Sequence, residues 1–528
     1  MGNIVIQPCD ESLIRSGKAV APCSPSAGPW ILAATILGSS MAFIDGTVVN
    51  VALPALQASL NATVSDVQWV VESYALLLAA LLLVGGSLGD HFGRRRIFSI
   101  GVAIFGLASA WCGLSSNITE LIAARAVQGI GGALLVPGSL AIISASFAKE
   151  QRGKAIGTWS GFTSITAAVG PALGGWLIEH ISWRAAFFIN VPMAVAVIVL
   201  TALHVPESRD DQARGGVDWI GAATITLCLG ALTYGLIESS SLGIRASRVV
   251  ATLVLSILSG GAFIVIESRK ANPMLPLSLF RSRNFSGANV LTLFLYTALA
   301  GVLFWVPLNL IQVQGYTATA AGAAILPFIL IVFLLSRWSG GLIQLYGARL
   351  PLIIGPVVTT AGYLLMALPG VGGSYWKTFF LPMAVLGLGM AISVAPLTTT
   401  VMNAVDQSEA GLASGVNNAV SRTAGLLAVA ILGIVMVQTF NRGLDARLSK
   451  LGMRPDVQQA IDSQRAKLAQ VEIPSDLDPV TKKQIGDAIA SSFVSGFRWV
   501  VFIAGALAIA ASVSALIWIE DPTSEASP

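Results

Sequence analysis

The stretch WILAATILGSSMAFIDGTVVNVALPALQA, residues 30–58, decides the fold. As a helix rising about 1.5 Å per residue, it is long enough to cross a hydrocarbon layer of about 30 Å. It carries one charge, Asp45, near its middle. A carboxylate at that depth is costly unless it faces a protein-lined cavity or a partner, so its default reading is functional. The sequence therefore describes an all-α polytopic membrane protein with a buried, titratable acid on its first helix.

Composition supports that reading along the whole chain. Of 528 residues, 55 % are hydrophobic and only 11 % charged, with a mean hydropathy of +0.77. A soluble domain carries about 25 % charged residues, so this chain lacks the surface of one. Its 53 glycines suit helices that approach closely in lipid. The net charge of +4 is small and unevenly spread, which points to membrane topology and away from nucleic acid. Cys9, Cys23, Cys112 and Cys228, with His91, His180 and His204, show no metal-ligand spacing. No GxxxxGK[ST] loop is present, so neither a nucleotide nor any other cofactor is expected. The tail 1–29 has no apolar core of a cleaved signal, so the first span is expected to be retained.

Fourteen segments reach spanning length: 30–58, 69–89, 97–116, 119–146, 156–179, 184–204, 217–237, 248–267, 285–310, 319–343, 351–369, 376–402, 412–440 and 496–519. Twelve or thirteen spans result instead if one of the pair within 217–267 is re-entrant. With the N-terminus inside, the inner tail and loops hold fifteen Lys and Arg, among them Arg94, Arg95, Arg96, Lys149, Lys154 and Arg349. The short outer loops hold four, Arg184, Arg245, Arg248 and Lys377. That bias places both termini in the cytoplasm.

Residues 86–95, GSLGDHFGRR, and 340–349, GGLIQLYGAR, share Gly, Leu, Gly and Arg at matching offsets. They suggest two six-helix halves, 30–204 and 285–519, joined by a two-helix insert at 217–267. Residues 441–495 read as an outer helical insertion in the second half, with helical spacing over 457–468 and 480–493 around the breaker-rich IPSDLDP at 473–479. It is either a gate over the outer mouth or a tolerated insertion.

Six motifs together resemble the major facilitator superfamily, within it the fourteen-helix branch of bacterial drug:proton antiporters. They are FIDGTVVNVALP (43–54), WVVESYAL (69–76), GGSLGDHFGRRR (85–96), RAVQGIGGALLVP (125–137), GPALGG (170–175) and GLASGVNNAVSRTAG (411–425). The resemblance implies a multi-pass protein of the bacterial inner membrane. It implies a non-enzymatic secondary transporter that exchanges protons for small amphiphilic molecules across the bilayer, in the manner of multidrug and antibiotic-resistance pumps. Some members of that branch work with a periplasmic adaptor and an outer-membrane channel.

The residues take their expected roles on that frame. Asp45 is the proton carrier, since burial and a nearby cation push its affinity for protons in opposite directions. It pairs permanently with Asn50 or a backbone group in the alternative reading. Arg125 stays protonated and must be partnered, either tuning Asp45 or Glu72 or bracing two helices. Glu72 is a second cavity acid or an interfacial side chain. The cavity is expected to be lined by Thr47, Asn50, Asn289, Tyr296, Trp305, Asn309, Gln312 and Arg422. The gating loop comprises Gly86, Gly89, Asp90, Gly93, Arg94 and Arg95, with Gln344 and Arg349 in the second copy, where the aspartate is missing. Gly161, Gly170, Pro171, Gly174 and Gly175 form the smooth face that the resemblance links to antiport. With few interior acids the substrates are expected to be neutral or monocationic. A dedicated metabolite transporter and a lipid-handling or sensing protein are the competing readings.

Overall fold

The structure, a computed structural model, describes residues 27–147, 149–209, 218–270, 273–405, 410–451 and 453–520. Among them every regular element is helical. The long helices are α1 (Gly28–Ser59), α2 (Val64–Phe92), α3 (Arg94–Leu114), α4 (Ile118–Ser146), α5 (Lys149–His180), α6 (Ala185–His204) and α7 (Trp219–Leu242). The remainder are α8 (Ser247–Arg269), α9 (Arg283–Leu308), α10 (Leu326–Tyr346), α11 (Arg349–Met366), α12 (Phe380–Asn403), α13 (Ala410–Leu448) and α14 (Pro479–Trp518). Thirteen helical segments among the described residues are long and apolar enough to cross a membrane. The helix Lys149–His180, at 32 residues, also has the length.

Local chemistry sets the helix ends. Thr63 and Asp66 form a reciprocal capping box at the start of α2, and Asn117, Ser282 and Asp478 cap α4, α9 and α14 with their side chains. Pro307 lacks an N–H, and just past it α9 widens into a π turn over Asn309–Val313.

Small residues set the packing. A Cβ on Gly85 of α2 would lie 2.0 Å from the Ala133 carbonyl of α4, and one on Gly129 would lie 2.4 Å from the Tyr74 carbonyl. Only glycine lets these two backbones touch. Helices α1 to α6 pack together through α2–α4, α3–α4, α1–α5, α1–α6 and α3–α6. Helices α9 to α14 do so through α11–α12, α9–α14, α10–α12, α11–α14 and α9–α13. The pair α7 and α8 packs on itself, and α7 also lies against α2 and α13, which touch each other.

Within residues 441–495 the helices differ in extent from the spacing expected over 457–468 and 480–493. α13 continues to Leu448, and α14 starts at Pro479, so 480–493 belongs to one helix of 40 residues. Between them lie a short helix, Pro455–Asp462, and a 3-10 segment, Arg465–Gln470. The reason is continuity of spacing: no proline separates Val480 from Trp518, while Pro455 and Pro479 each open a helix.

Candidate functional site

A closed polar network fills the space between α1, α3, α4 and α6. Asp45 of α1 is wholly buried, and its Oδ2 accepts from Arg125 Nη1 of α4 at 2.6 Å. Its Oδ1 accepts from Gln128 Nε2 at 2.9 Å and from Asn190 Nδ2 of α6 at 3.4 Å. Arg125 Nη1 also donates to Gln128 Oε1 at 2.7 Å, and Arg125 Nε donates to the Val70 carbonyl of α2 at 3.1 Å. Ser109 of α3 accepts from Gln128 and Asn190 and donates to the Phe187 carbonyl at 2.8 Å. The Tyr74 ring of α2 lies under the guanidinium, 4.3 Å from its carbon.

This arrangement shows what Asp45 pairs with. Its partner is a cation, and Asn50 plays no part: Asn50 Nδ2 donates to its own helix at Gly46. Asp45 does not face an open cavity. Phe43, Gly46, Thr47 and Asn50 are the partly open positions of this part of α1, recurring at helical spacing, and Asp45 falls off that stripe. Arg125 reaches Asp45 and not Glu72.

Glu72 is wholly buried, which removes the interfacial reading. Neither carboxylate oxygen has a hydrogen-bond partner among the described residues.

The expected cavity residues divide. Asn289 is buried, and its Oδ1 accepts from Asn417 of α13 at 3.1 Å, while Asn417 also donates to Thr292 at 2.7 Å. Tyr296 and Arg422 are half-buried. Thr47 donates to its own helix, and its hydroxyl fills the space a Cβ on Gly170 would take, 2.1 Å away. Trp305 is a core residue instead of a lining one: it is fully buried against Phe304 and against Phe493 of α14. Asn309 is buried in the π turn, where it accepts from Gln314, and Gln312 donates to Gln57 at 3.0 Å. Those last two belong to the end of the bundle that carries residues 449–478.

At the opposite end, Arg94 pairs with Asp90 at 2.8 Å. Gly93 has φ +107°, a backbone state that favours glycine. A Cβ there would meet the Glu207 carboxyl at 2.7 Å. That acid accepts from the Arg95 and Arg96 backbone N–H groups, capping α3. In the second copy Gly347 again has positive φ, +73°, but Arg349 donates to the Leu516 carbonyl of α14 at 2.7 Å. The side chain of Gln344 and the surroundings of Gly161 lie outside the described residues, as does most of the 1–29 tail. A Cβ added to Gly86 would lie 3.7 Å from Pro137, and one added to the buried Gly89 would lie 3.9 Å from Arg94.

The glycine face of α5 meets two neighbours. Gly170 and Gly174 abut Thr47 and Val48 of α1, and a Cβ added to Gly175 would lie 2.3 Å from the Ala318 carbonyl. Gly322 returns the contact, since a Cβ there would lie 2.0 Å from the Pro171 carbonyl, and Glu179 accepts from the Thr319 N–H at 3.2 Å. The segment 441–495 closes the same end, since Gln57 donates to the Lys467 carbonyl and Gln470 to the Pro54 carbonyl.

Four residues of this geometry were not singled out from sequence. Gln128 sits one turn from Arg125 inside a quoted motif, and Asn190 is an amide in an apolar span; both carried a signal. Ser109 and Glu207 carried none beyond their polarity.

Residues 35–429 match the sequence model of the Major Facilitator Superfamily. The chain is 32 % identical over 525 residues to the tetracenomycin C resistance and export protein of Streptomyces glaucescens, covering 97 % of this chain and 96 % of that one. It is 35 % identical over 420 residues to the multidrug resistance protein Stp of Mycobacterium tuberculosis, covering 79 % and 78 %. The fold is similar to the crystal structure of a bacterial homologue of the human lysosomal transporter Spinster, inward-facing and occupied, with TM-score 0.66 at 16 % identity over 94 % of this chain and 97 % of that one.

Proposed function

The chain belongs to the major facilitator superfamily, a family of secondary transporters and not of enzymes, and on that premise we propose that it exports lipophilic or amphiphilic compounds, neutral or monocationic, in exchange for protons. The observation that carries the reading is the ion pair of Asp45 and Arg125, sealed among four helices by Gln128, Asn190 and Ser109. A buried pair of this kind is held by mutual attraction, so a proton on Asp45 cancels the attraction and frees Arg125 for another arrangement. Protonation thereby becomes a movement of α4 against α1. Glu72 is the second acid of the coupling set. The substrate cavity is drawn from Thr47, Asn50, Asn289, Tyr296 and Arg422.

The proposed topology is two six-helix halves around the two-helix insert, with fourteen spans and both termini in the cytoplasm. The loop contacts support it. Strict alternation puts the loops near 59–64, 181–184, 309–317, 367–379 and 449–478 at one end. Gln314 indeed reaches Gly370, Glu179 reaches Thr319, and Gln57 reaches Lys467. The other end gathers Arg94 with Ser208 and Arg349 with Leu516. The resulting inner membrane protein gates through Asp90, Arg94 and the Gly93 turn in its first half, and more weakly through Arg349 in its second. Pumping through a periplasmic adaptor and outer-membrane channel is a further part of the proposal, decided by co-purification after crosslinking.

The test is efflux of a lipophilic monocationic dye from proteoliposomes, with and without an imposed pH gradient. Gradient-driven efflux lost in Asp45→Asn supports the reading. Equal efflux in wild type and Asp45→Asn removes Asp45 from the coupling step.

A further inference from the structure

Where α7 begins and α8 ends, two further acids meet, away from the Asp45 network. Asp218 caps α7, its Oδ1 accepting from the Gly221 N–H at 2.8 Å. The same oxygen accepts from Nζ of Lys270, the residue after α8, at 2.7 Å. Glu267, in the last turn of α8, turns its Oε2 to the Leu275 N–H at 2.8 Å. Leu275 belongs to the linker that leads through the 3-10 turn Leu277–Arg281 into α9. Both acids are buried, Asp218 with 5 % of its surface exposed and Glu267 with 2 %.

The remaining oxygens, Asp218 Oδ2 and Glu267 Oε1, receive no donor among the described residues. They face one another. A Cβ added to Gly221 would lie 2.7 Å from the first and 2.6 Å from the second, and the two carboxyls are in hydrogen-bond contact. A side chain at 221 would push them apart. Two bare acceptors do not hold such a contact, because carboxylates this close cannot both ionise. A positive charge therefore bridges them. Calcium or magnesium takes six or more oxygens, whereas two are free here and an ammonium already sits on Asp218. A proton needs only these two. With it the pair carries one negative charge, which Lys270 balances; without it one negative charge is left buried and uncompensated.

Lys270 is the charged group that meets the pair. Of the others on the surrounding elements, Asp90 of α2 pairs with Arg94, and Arg283 of α9 pairs with Glu520. His91 of α2 turns Nδ1 to the Ser87 carbonyl of its own helix. Arg269 of α8 and Arg281 before α9 form no ion pair among the described residues.

We propose that Asp218 and Glu267 form a proton-binding clasp, in which Glu267 Oε1–H donates to Asp218 Oδ2 and ties together the start of α7, the end of α8 and the linker to α9. Asp218 is the anion of the pair, since its other oxygen takes an ammonium and a backbone N–H. Release is balanced: the Glu267 O–H bond breaks, the proton passes to water, and two carboxylates are left with Lys270. The clasp is closed at low pH and opens as pH rises on its side of the membrane, the cytoplasmic side in the proposed topology. Because α7 lies against α2 of one half and α13 of the other, opening loosens the insert where the halves meet. The clasp is independent of what the protein exports.

The experiment uses the full chain in phospholipid nanodiscs, read by infrared pH-difference spectra and by hydrogen exchange at Leu275. Wild type is expected to show a protonated-carboxyl band that fades as pH rises and that Glu267→Gln lacks. Exchange at Leu275, corrected for its intrinsic pH dependence, is expected to quicken about tenfold or more over the same rise, the loss of one charge-assisted hydrogen bond. Glu267→Gln and Asp218→Asn each put an amide N–H where the proton sat. Both are expected to keep Leu275 protected and to lose the pH dependence, and either carries the test if the other unfolds. Glu267→Ala is expected to exchange fast at every pH. A carboxyl band unchanged in the amide variants, or wild-type pH dependence of exchange in them, overturns the proposal. So does protection that rises at fixed pH when calcium or sodium is added, since the bridge is then a metal ion.

Discussion

Asp45 and Glu72 are two carboxylates with no exposure to solvent, less than thirty residues apart in sequence and on neighbouring helices. Asp45 accepts from Arg125, Gln128 and Asn190; Glu72 accepts from nothing among the described residues. Burial alone therefore does not define a role. A fully donated carboxylate next to a guanidinium is held as a strut between helices. An undonated carboxylate has none of that support from its neighbours.

The sharpest way to break this contrast is to make Asp45 resemble Glu72. Arg125→Ala leaves Asp45 buried without its cation and is expected to lower stability by about 3–5 kcal/mol, read as thermal unfolding in detergent. If the protein keeps its stability, the strut reading is wrong. Asp45→Asn keeps an acceptor for Arg125, whose Val70, Gln128 and Tyr74 contacts remain, so its cost is smaller, about 1–3 kcal/mol. Gradient-driven efflux should nonetheless fall by about a hundredfold or more in proteoliposomes. Gln128→Leu removes one donor from Asp45 and an acceptor from Arg125, and about 1–2 kcal/mol of lost stability is expected, with part of the efflux retained. At the other pole, Glu72→Gln breaks no hydrogen bond, so the unfolding temperature should stay level or rise, within about 1 kcal/mol of wild type. A large loss there would reveal a partner for Glu72 and erase the contrast.

Much of the fold was legible because hydrocarbon imposes a coarse rule: spans must be long and apolar, and that pattern survives without knowing any contact. Asp45 and Arg125 stood out for the same reason, as charges where charges are expensive. Rotation of each helix about its axis was not legible. Whether Asp45 shared the open stripe of Phe43, Gly46 and Asn50, and whether Trp305 faced a cavity or Phe493, depends on neighbours that come from distant segments. Hydropathy is nearly uniform around these helices, so it gives little direction. The two glycine–arginine loops show the same limit. Gly93 and Gly347, at one of the matching offsets, both take positive φ, yet the first is locked by Glu207 and the second leans on a carbonyl of α14. Glu207 lies more than a hundred residues from the N–H groups it caps, and no local pattern joins them.

The lengths of α13 and α14 have a mechanical consequence. At 39 and 40 residues they measure about 60 Å each, about twice the hydrocarbon thickness. Stiff rods of that length act as levers: a tilt of about 10° carries the far tip through about 10 Å. The tips here bear the Pro455–Asp462 helix, whose Asp456 is exposed. A fluorophore placed at that position would turn a small rocking of the helices into a readable displacement, and the protein carries its own amplifier for watching the transport cycle.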